Sequence, residues 1–569
     1  TARGAMAAGL ATLDAAALAT TGRRFASLEP PRRAEVAGRL PHDLVAAMKA
    51  PVLLVHGASE ATPGLLAAAN RTPPARPDAV LDVTVSGAWP SRSVADVVVV
   101  GSGAGGAMAA RTLARSGMAT VVLEEGRRHG VEEFRRTPAL ERFTSLYRDG
   151  GATVALGRPP VYLPIGRGVG GTTLVNSGTC YRPPASVVRD WRRGSGVDLP
   201  IEVFDEVEAL LRVAPVPDAV MGRNGRLALA GARALGWSSR PLDRNAPGCG
   251  GCCQCALGCP RNAKFGVHLN ALPDACAAGA RVVSHARVER VLHAGGRVAG
   301  VRARRPDGSV LEILAPAVVV CAGATETPPL LRRSGLGRHP QLGRNLAVHP
   351  ALSVAGRFDE VVDPDRGVLQ SAAIEELHHT EGIIIEATAT PAGLGSMLLP
   401  GIGAELRQEL AAAPHLAHLG AMVADAPVGR VRGARRAVVG YDLTRADGAK
   451  LTRAVWAMGR VLFAAGAREV LTGIPRHERV RTEADLADAV AHADPRHLHL
   501  AAFHPTGTAR LGADAQAAPV DPEGRLRGAE GLWVADASVV PTCPQVNPQV
   551  AIMALALSIA SHLVAARAS

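Results

Sequence analysis

The chain has 569 residues, 47% hydrophobic and 20% charged, which is too long for one small module and apolar enough for a sizeable core. Disordered and collagen-like classes are thereby excluded. The net charge of +12 is scattered and nearly all Arg, and the 5 Trp, 4 Tyr and 8 Phe do not interleave with a basic stripe, so no nucleic-acid partner is expected.

Residues 1–93 read as a mainly helical, Ala-rich extension, broken at Pro30-Pro31 and by the loop Thr72 to Pro77. Arg23-Arg24 is not followed by the apolar run of a twin-Arg export signal, so no cleavable targeting segment is expected. Val52-Leu53-Leu54-Val55-His56-Gly57 imitates the opening strand of an α/β-hydrolase. No Gly-x-Ser-x-Gly nucleophile elbow follows, so that class is set aside.

At Asp96-Val97-Val98-Val99-Val100 a β-branched run predicts a buried parallel strand. Gly101-Ser102-Gly103-Ala104-Gly105-Gly106 follows, then an Ala-rich helical stretch to Arg115, then a second strand from Thr120 to Leu123 ending at Glu124. Strand, glycine turn, helix, strand and acid in that order form a dinucleotide fingerprint. Gly101 permits the tight turn, Gly103 lets backbone approach a pyrophosphate, Gly106 allows close helix packing, and Glu124, 23 residues beyond Gly101, can accept ribose hydroxyls. A second dense run, Gly166 to Asn176, predicts main chain laid against a flat cofactor.

Of nine cysteines, Cys249, Cys252, Cys253, Cys255 and Cys259 fall within eleven positions. The spacing Cys249-x2-Cys252-x2-Cys255-x3-Cys259-Pro260 is that of a bacterial ferredoxin and makes these four candidate iron–sulfur ligands. Zinc and unligated or disulfide-bonded thiols stay open as alternatives. Unpaired thiols point to a reducing compartment. His492, His497 and His499 are close in sequence, but no acid is placed to complete a metal site, and a structural role is expected. Phe503-His504-Pro505-Thr506-Gly507 and Gly531 to Ser538, then Val546-Asn547-Pro548, close the set of motifs.

From about Ala95 onward these segments resemble the glucose–methanol–choline (GMC) oxidoreductases, flavoenzymes that oxidise alcohols. Ala322-Gly323-Ala324, Ser334 to Gly337 and Gly343-Arg344-Asn345-Leu346 are similar to the family's second signature. The cysteine-rich segment and the N-terminal extension are most similar to the long-chain fatty alcohol oxidase branch. The resemblance implies an α/β fold. A discontinuous Rossmann-like FAD-binding domain would span 94–187, 240–350 and 490–569, with an α+β substrate domain at 188–239 and 351–489.

By the same resemblance Gly101, Gly103, Gly106 and Glu124 would hold the adenosine diphosphate half of FAD. Val288 would meet the adenine, Asp536 and Ala537 the pyrophosphate and ribitol, and Gly170, Gly171, Thr172 and Asn176 the flavin. Pro548 would open the last helix toward it. His504 would be the base and Asn547 its partner, taking the proton of an apolar or long-chain alcohol while hydride passes to flavin N5 and then to O2 or an electron carrier. A lyase or photodecarboxylase on the same scaffold is the alternative. The apolar stretch Val550 to Ala566 reads as a buried helix falling short of a membrane span. A cytoplasmic location is expected, with peripheral membrane contact left open.

Overall fold

The computed structural model describes residues 2–40, 42–391, 395 and 399–568. Its centre is a parallel sheet grown from β-branched runs, whose stiff side chains suit a pleated, buried surface. The strands are β1 Val83–Val85, β2 Val97–Val100, β3 Thr120–Leu123, β4 Arg281–Ser284, β5 Ala317–Val320 and β6 Leu532–Val534. They lie in the order β1-β4-β3-β2-β5-β6, every neighbouring pair parallel. The chain leaves β2 toward β3 on one side, and β5 lies on the other. The strand order therefore reverses at the carboxyl end of β2, the place where open α/β sheets bind ligands.

Helix α1, Ala104–Arg115, covers one face of this sheet with small residues. They let the C-terminal helix α2, Gln549–Ala568, and the short helix Ala271–Ala277 pack directly on it. By length and composition α2 could cross a membrane, contrary to the expectation that it falls short. Here it is a core helix, with Val550, Ala551, Met553, Ala554, Ala556 and Ala560 wholly buried. Met48–Asn70 passes the same test of length and hydropathy, within the helix His42–Asn70 that carries Pro51 and Pro63. The hydrolase-like run at Val52 lies inside this helix.

A second, largely antiparallel sheet forms the other half of the molecule. Its central strands are Ala351–Arg357, Leu416–Val423, Ile383–Thr388 and Gln370–Ile374. The helices Asp218–Ala234 and Arg445–Ala464 back it. Alternation along Ile383–Thr388 sends Ile383, Ile385 and Ala387 into that backed core, which leaves Ile384 and Glu386 facing the other way.

Several short segments pack elsewhere than the sequence placed them. β1 and Arg92–Val94 come from the extension yet join the half built around the parallel sheet, one in that sheet and one beside Val310–Leu314. Helix Ile201–Leu211, assigned to the substrate domain, buries Phe204, Val207 and Leu211 in the parallel-sheet core. Val154–Ala155, Val161–Tyr162 and Leu500–Ala501, assigned to the FAD-binding domain, are strands of the second sheet. Segments this short carry no periodicity that shows which core they serve.

Candidate functional site

The glycine turn after β2 is shaped by backbone contact. Gly101 has φ 104°, and a Cβ there would stand 2.3 Å from the Cys321 carbonyl oxygen. A Cβ on Gly106 would stand 1.9 Å from the Gly101 carbonyl oxygen, so helix α1 and the turn can meet only through glycine. Gly105, which the motif reading passed over, is equally constrained: its Cβ would lie 2.0 Å from the Ala535 carbonyl oxygen. Gly103 is different. It caps α1, and its nearest neighbour would be the Gly171 Cα at 3.8 Å.

The two glycine loops are tied together by Ser102. Its hydroxyl donates to Glu124 Oε2 at 2.7 Å and accepts the Gly170 N–H at 3.0 Å. Glu124 is buried, accepts the Gly126 N–H through Oε1 at 2.8 Å, and is pushed above the usual carboxylate range by burial. Gly170 has φ 112° and Gly171 φ 55°, while Thr172 beside them is exposed. Asn176 bonds Gln549 at the start of α2, and its carbonyl accepts the Lys264 Nζ at 2.8 Å. Asp536 accepts from Gly323 N–H at 2.8 Å, Thr327 Oγ1 at 2.6 Å and Ser538 N–H at 2.7 Å. Burial raises its pKa as well. The Ala537 carbonyl accepts the Gly507 N–H, which links this turn to the loop of His504. Val288, on the strand Arg287–Ala294, offers its carbonyl to Arg333 at 2.9 Å.

Glycine backbone that no Cβ could replace, loops in mutual contact, and a Ser538 Oγ buried without a partner make a cradle that fits a dinucleotide such as FAD. Pro548 precedes the first residue of α2 and its carbonyl accepts the Ile552 N–H, so Asn547 stands just ahead of the helix N-terminus.

His504 lies edge-on to His349, ring centroids 5.4 Å apart and planes at 86°. Burial lowers the pKa of His504 to about 4 and holds that of His349 well below the ordinary imidazole value, so both rings are neutral at neutral pH. His349 is in hydrogen-bond contact with the Cys543 thiol, and its backbone N–H is held by Asp425 at 3.1 Å. Asn547, four residues beyond Cys543, faces Glu386. Asn547 Oδ1 and Glu386 Oε1 are both buried without a hydrogen-bond partner. Burial raises Glu386 to about 7. Motif reading found His504 and Asn547 but not His349, Cys543 or Glu386. The alternation of Ile383–Thr388 was the one available signal for Glu386.

The five clustered cysteines line one pocket, together with Arg244 and Lys264. Among the described residues no group of three His, Cys, Asp or Glu is placed to hold a metal ion. That finding weighs against zinc at the cysteines and against a metal at His492, His497 and His499. His492 instead bonds the Asp488 carbonyl at 2.9 Å.

GMC oxidoreductase family profiles match residues 143–351 and 427–556, and an FAD binding domain profile matches 96–134. An uncharacterized GMC-type oxidoreductase of Mycobacterium tuberculosis is 60% identical over 577 residues, covering 99% of this chain and 92% of that protein. A long-chain-alcohol oxidase of Arabidopsis thaliana is 30% identical over 510 residues, 82% of this chain and 67% of that one. Formate oxidase of Aspergillus oryzae has the same fold, with a TM-score of 0.64 at 16% identity over 84% of this chain and 99% of that one. So does pyridoxine 4-oxidase from Mesorbium loti, with a TM-score of 0.62 at 19% identity over 82% and 98%. The chain belongs to the GMC oxidoreductase family, FAD enzymes acting on CH–OH groups.

Proposed function

We propose that this chain oxidises a primary or secondary alcohol with an apolar or long-chain body to the aldehyde or ketone. One observation carries the reading. An imidazole kept neutral by burial, His504, is joined through His349 and Cys543 to the segment of Asn547, whose Oδ1 is buried with no protein partner.

Bound FAD supplies the acceptor for the carbinol hydrogen and its electron pair. Gly101, Gly103, Gly106 and Glu124 would hold its adenosine diphosphate end and Val288 the adenine. Asp536 and Ala537 would meet the pyrophosphate and ribitol. Gly170, Gly171, Thr172 and Asn176 would lie along the flavin, with the α2 N-terminus opened by Pro548 aimed at it. An alcohol is a poor hydride donor until its hydroxyl proton begins to leave. The neutral His504 ring takes that proton, and a side-chain N–H of Asn547 donates to the same oxygen and fixes which hydrogen is presented.

Val546, beside Asn547, packs in an apolar cluster with Tyr181, Met221, Ile384 and Met422, so the ground next to Asn547 is apolar. The long-chain-alcohol oxidases among the relatives support that substrate class. No observation favours the lyase or photodecarboxylase alternative.

Anaerobic addition of a long-chain primary alcohol to the FAD-loaded protein should bleach the flavin. His504→Ala should keep FAD and slow bleaching by about 10²-fold or more. Unchanged kinetics would remove His504 from its role. Failure of aliphatic, steroidal and sugar alcohols alike to bleach the flavin would sink the proposal.

A further inference from the structure

Four exposed apolar side chains share one small sheet face. The hairpin formed by Arg430–Arg432 and Val438–Gly440 pairs Arg432 with Val438 and Arg430 with Gly440, and Leu156 bridges Gly440 in parallel from the other side. Residues directly opposite across a sheet point to the same face, and so do alternate residues along a strand. One face of this patch therefore carries Val428, Arg430 and Arg432 on its first strand, Val438 on the second, and Val154 and Leu156 on the third. Burial follows that alternation. Gly429, Val431 and Ala155, which lie between them, are buried, whereas Val154, Leu156, Val428 and Val438 are 42–60% exposed.

Guanidinium groups surround the apolar row. Arg430 and Arg432 flank it, and Arg435 and Arg436 stand at the hairpin tip, all four exposed. Arg436 reaches Asp149 at 3.3 Å in a solvated pair. Arg430, Arg432 and Arg435 have no acidic partner among the described residues. Arg332 donates to the carbonyls of Val431 at 2.8 Å and Gly433 at 3.3 Å, and Arg333 to that of Ala434 at 3.4 Å. These two bonds fix the hairpin and add further positive charge behind it. Like charges gathered on so small a surface repel one another, and an anionic partner offsets that cost. Planar guanidiniums match phosphate oxygens two at a time.

We propose that this hairpin face docks on a bilayer of anionic phospholipid, with the four arginines on lipid phosphates and Val154, Leu156, Val428 and Val438 set into the acyl boundary. Protein partners are gripped mainly through aromatic and Arg anchors at a packed centre. Here the centre is aliphatic, which suits hydrocarbon. The inference rests on the proposed oxidation of a long-chain alcohol, a substrate that partitions into bilayers and has to be taken from one. The root of the hairpin fits that task. Gly429 pairs with Leu346, the Val431 N–H donates to the Gly343 carbonyl at 2.7 Å, and the Gly343 N–H donates to the Thr508 carbonyl at 2.7 Å. The docking face thus stands on the two chain segments that carry His349 and His504.

FAD-loaded full-length protein should co-sediment with vesicles of equal parts phosphatidylcholine and phosphatidylglycerol and stay in solution with phosphatidylcholine alone, and added salt should release it. Arg430→Glu combined with Arg432→Glu should weaken that binding by about tenfold or more. Leu156→Ser combined with Val438→Ser should weaken it as well, and both variants should keep the wild-type FAD content and melting temperature. The same charge change at Arg189 and Arg193, exposed on the helical segment 185–195, should leave binding unchanged. No binding to the mixed vesicles, equal binding to both kinds, or an equal loss from the Arg189 and Arg193 change overturns the proposal. So does a stable dimer in solution that the Leu156 and Val438 variant dissolves, since that result gives the face to a second copy of the chain. Sedimentation needs no substrate, so a protein that binds the mixed vesicles and oxidises no alcohol would count against the proposed function alone.

Discussion

Replacing Gly106 by Ala puts a Cβ 1.9 Å from the Gly101 carbonyl oxygen and 3.1 Å from the Cys321 Cβ. Ordinary carbon–oxygen contacts begin at roughly 3.3 Å, so helix α1 and the turn must separate by roughly 1.4 Å. The atom in the way is backbone, not a flexible side-chain tip. The cost belongs at the upper end of the range for overpacking, about 1–3 kcal/mol or more. Gly103→Ala is the matched control. At φ −70° its new Cβ would meet only the Gly171 Cα at 3.8 Å, so the apoprotein should change by no more than about 0.5 kcal/mol. That Cβ would, however, project between the two glycine loops and weaken FAD binding by about tenfold or more, about 1.4 kcal/mol. Thermal melts of the apoproteins and FAD-to-protein ratios after gel filtration separate the two effects. A Gly106→Ala protein with wild-type melting and full FAD would refute the packing account. A Gly103→Ala apoprotein as unstable as Gly106→Ala would refute the assignment of its Cβ to the cofactor side.

Burial raises Glu386 from 4.5 to about 7, so between those values the folded chain holds a proton that the unfolded chain has released, and stability should fall as pH rises through the window. Glu386→Gln should flatten that slope in melts taken from pH 4.5 to 8, and parallel curves would refute it. With His504 lowered to about 4, the rate of flavin bleaching should stay level from pH 8 down to about 5 and fall as the ring protonates; a fall centred near 6.5 would show an ordinary imidazole. Arg357 pairs with Glu409 at 2.6 Å and Glu469 at 3.1 Å, all three side chains 7–8% exposed. Arg357→Ala removes the most buried cation of the cluster but leaves Glu409 paired with Arg479 at 2.8 Å and Glu469 with Arg479 and Arg481 at 3.5 and 3.3 Å, and should cost about 1–3 kcal/mol in thermal or urea unfolding; a loss under about 0.5 kcal/mol would show that the two remaining arginines suffice.

Much of the cofactor site was legible because its constraints are local. Gly101 and Gly106 must be glycine to let a strand turn into a helix within six residues, and any chain that does so carries that signature. Gly105 escaped notice because the carbonyl it approaches belongs to Ala535, more than four hundred residues away. Glu386 lay in a run of isoleucines that reads as a core strand. Only the alternation of that strand across a formed sheet turns its carboxyl toward Asn547. His349 and Cys543 carried no motif, and they acquire meaning from one ring-to-ring contact and one thiol contact.

The amino-acid sequence by itself determined the nucleotide turn, the family and the cysteine spacing, since each is written in residues that are neighbours along the chain. The tertiary structure decided which cations gather around the thiols, which half of the molecule claims β1, Ile201–Leu211 and Leu500–Ala501, and which buried groups are left without partners. Those outcomes depend on loop closures over hundreds of residues and on the desolvation that follows. Neither has a local signature, because burial and pairing are properties of the packed chain and not of any segment within it.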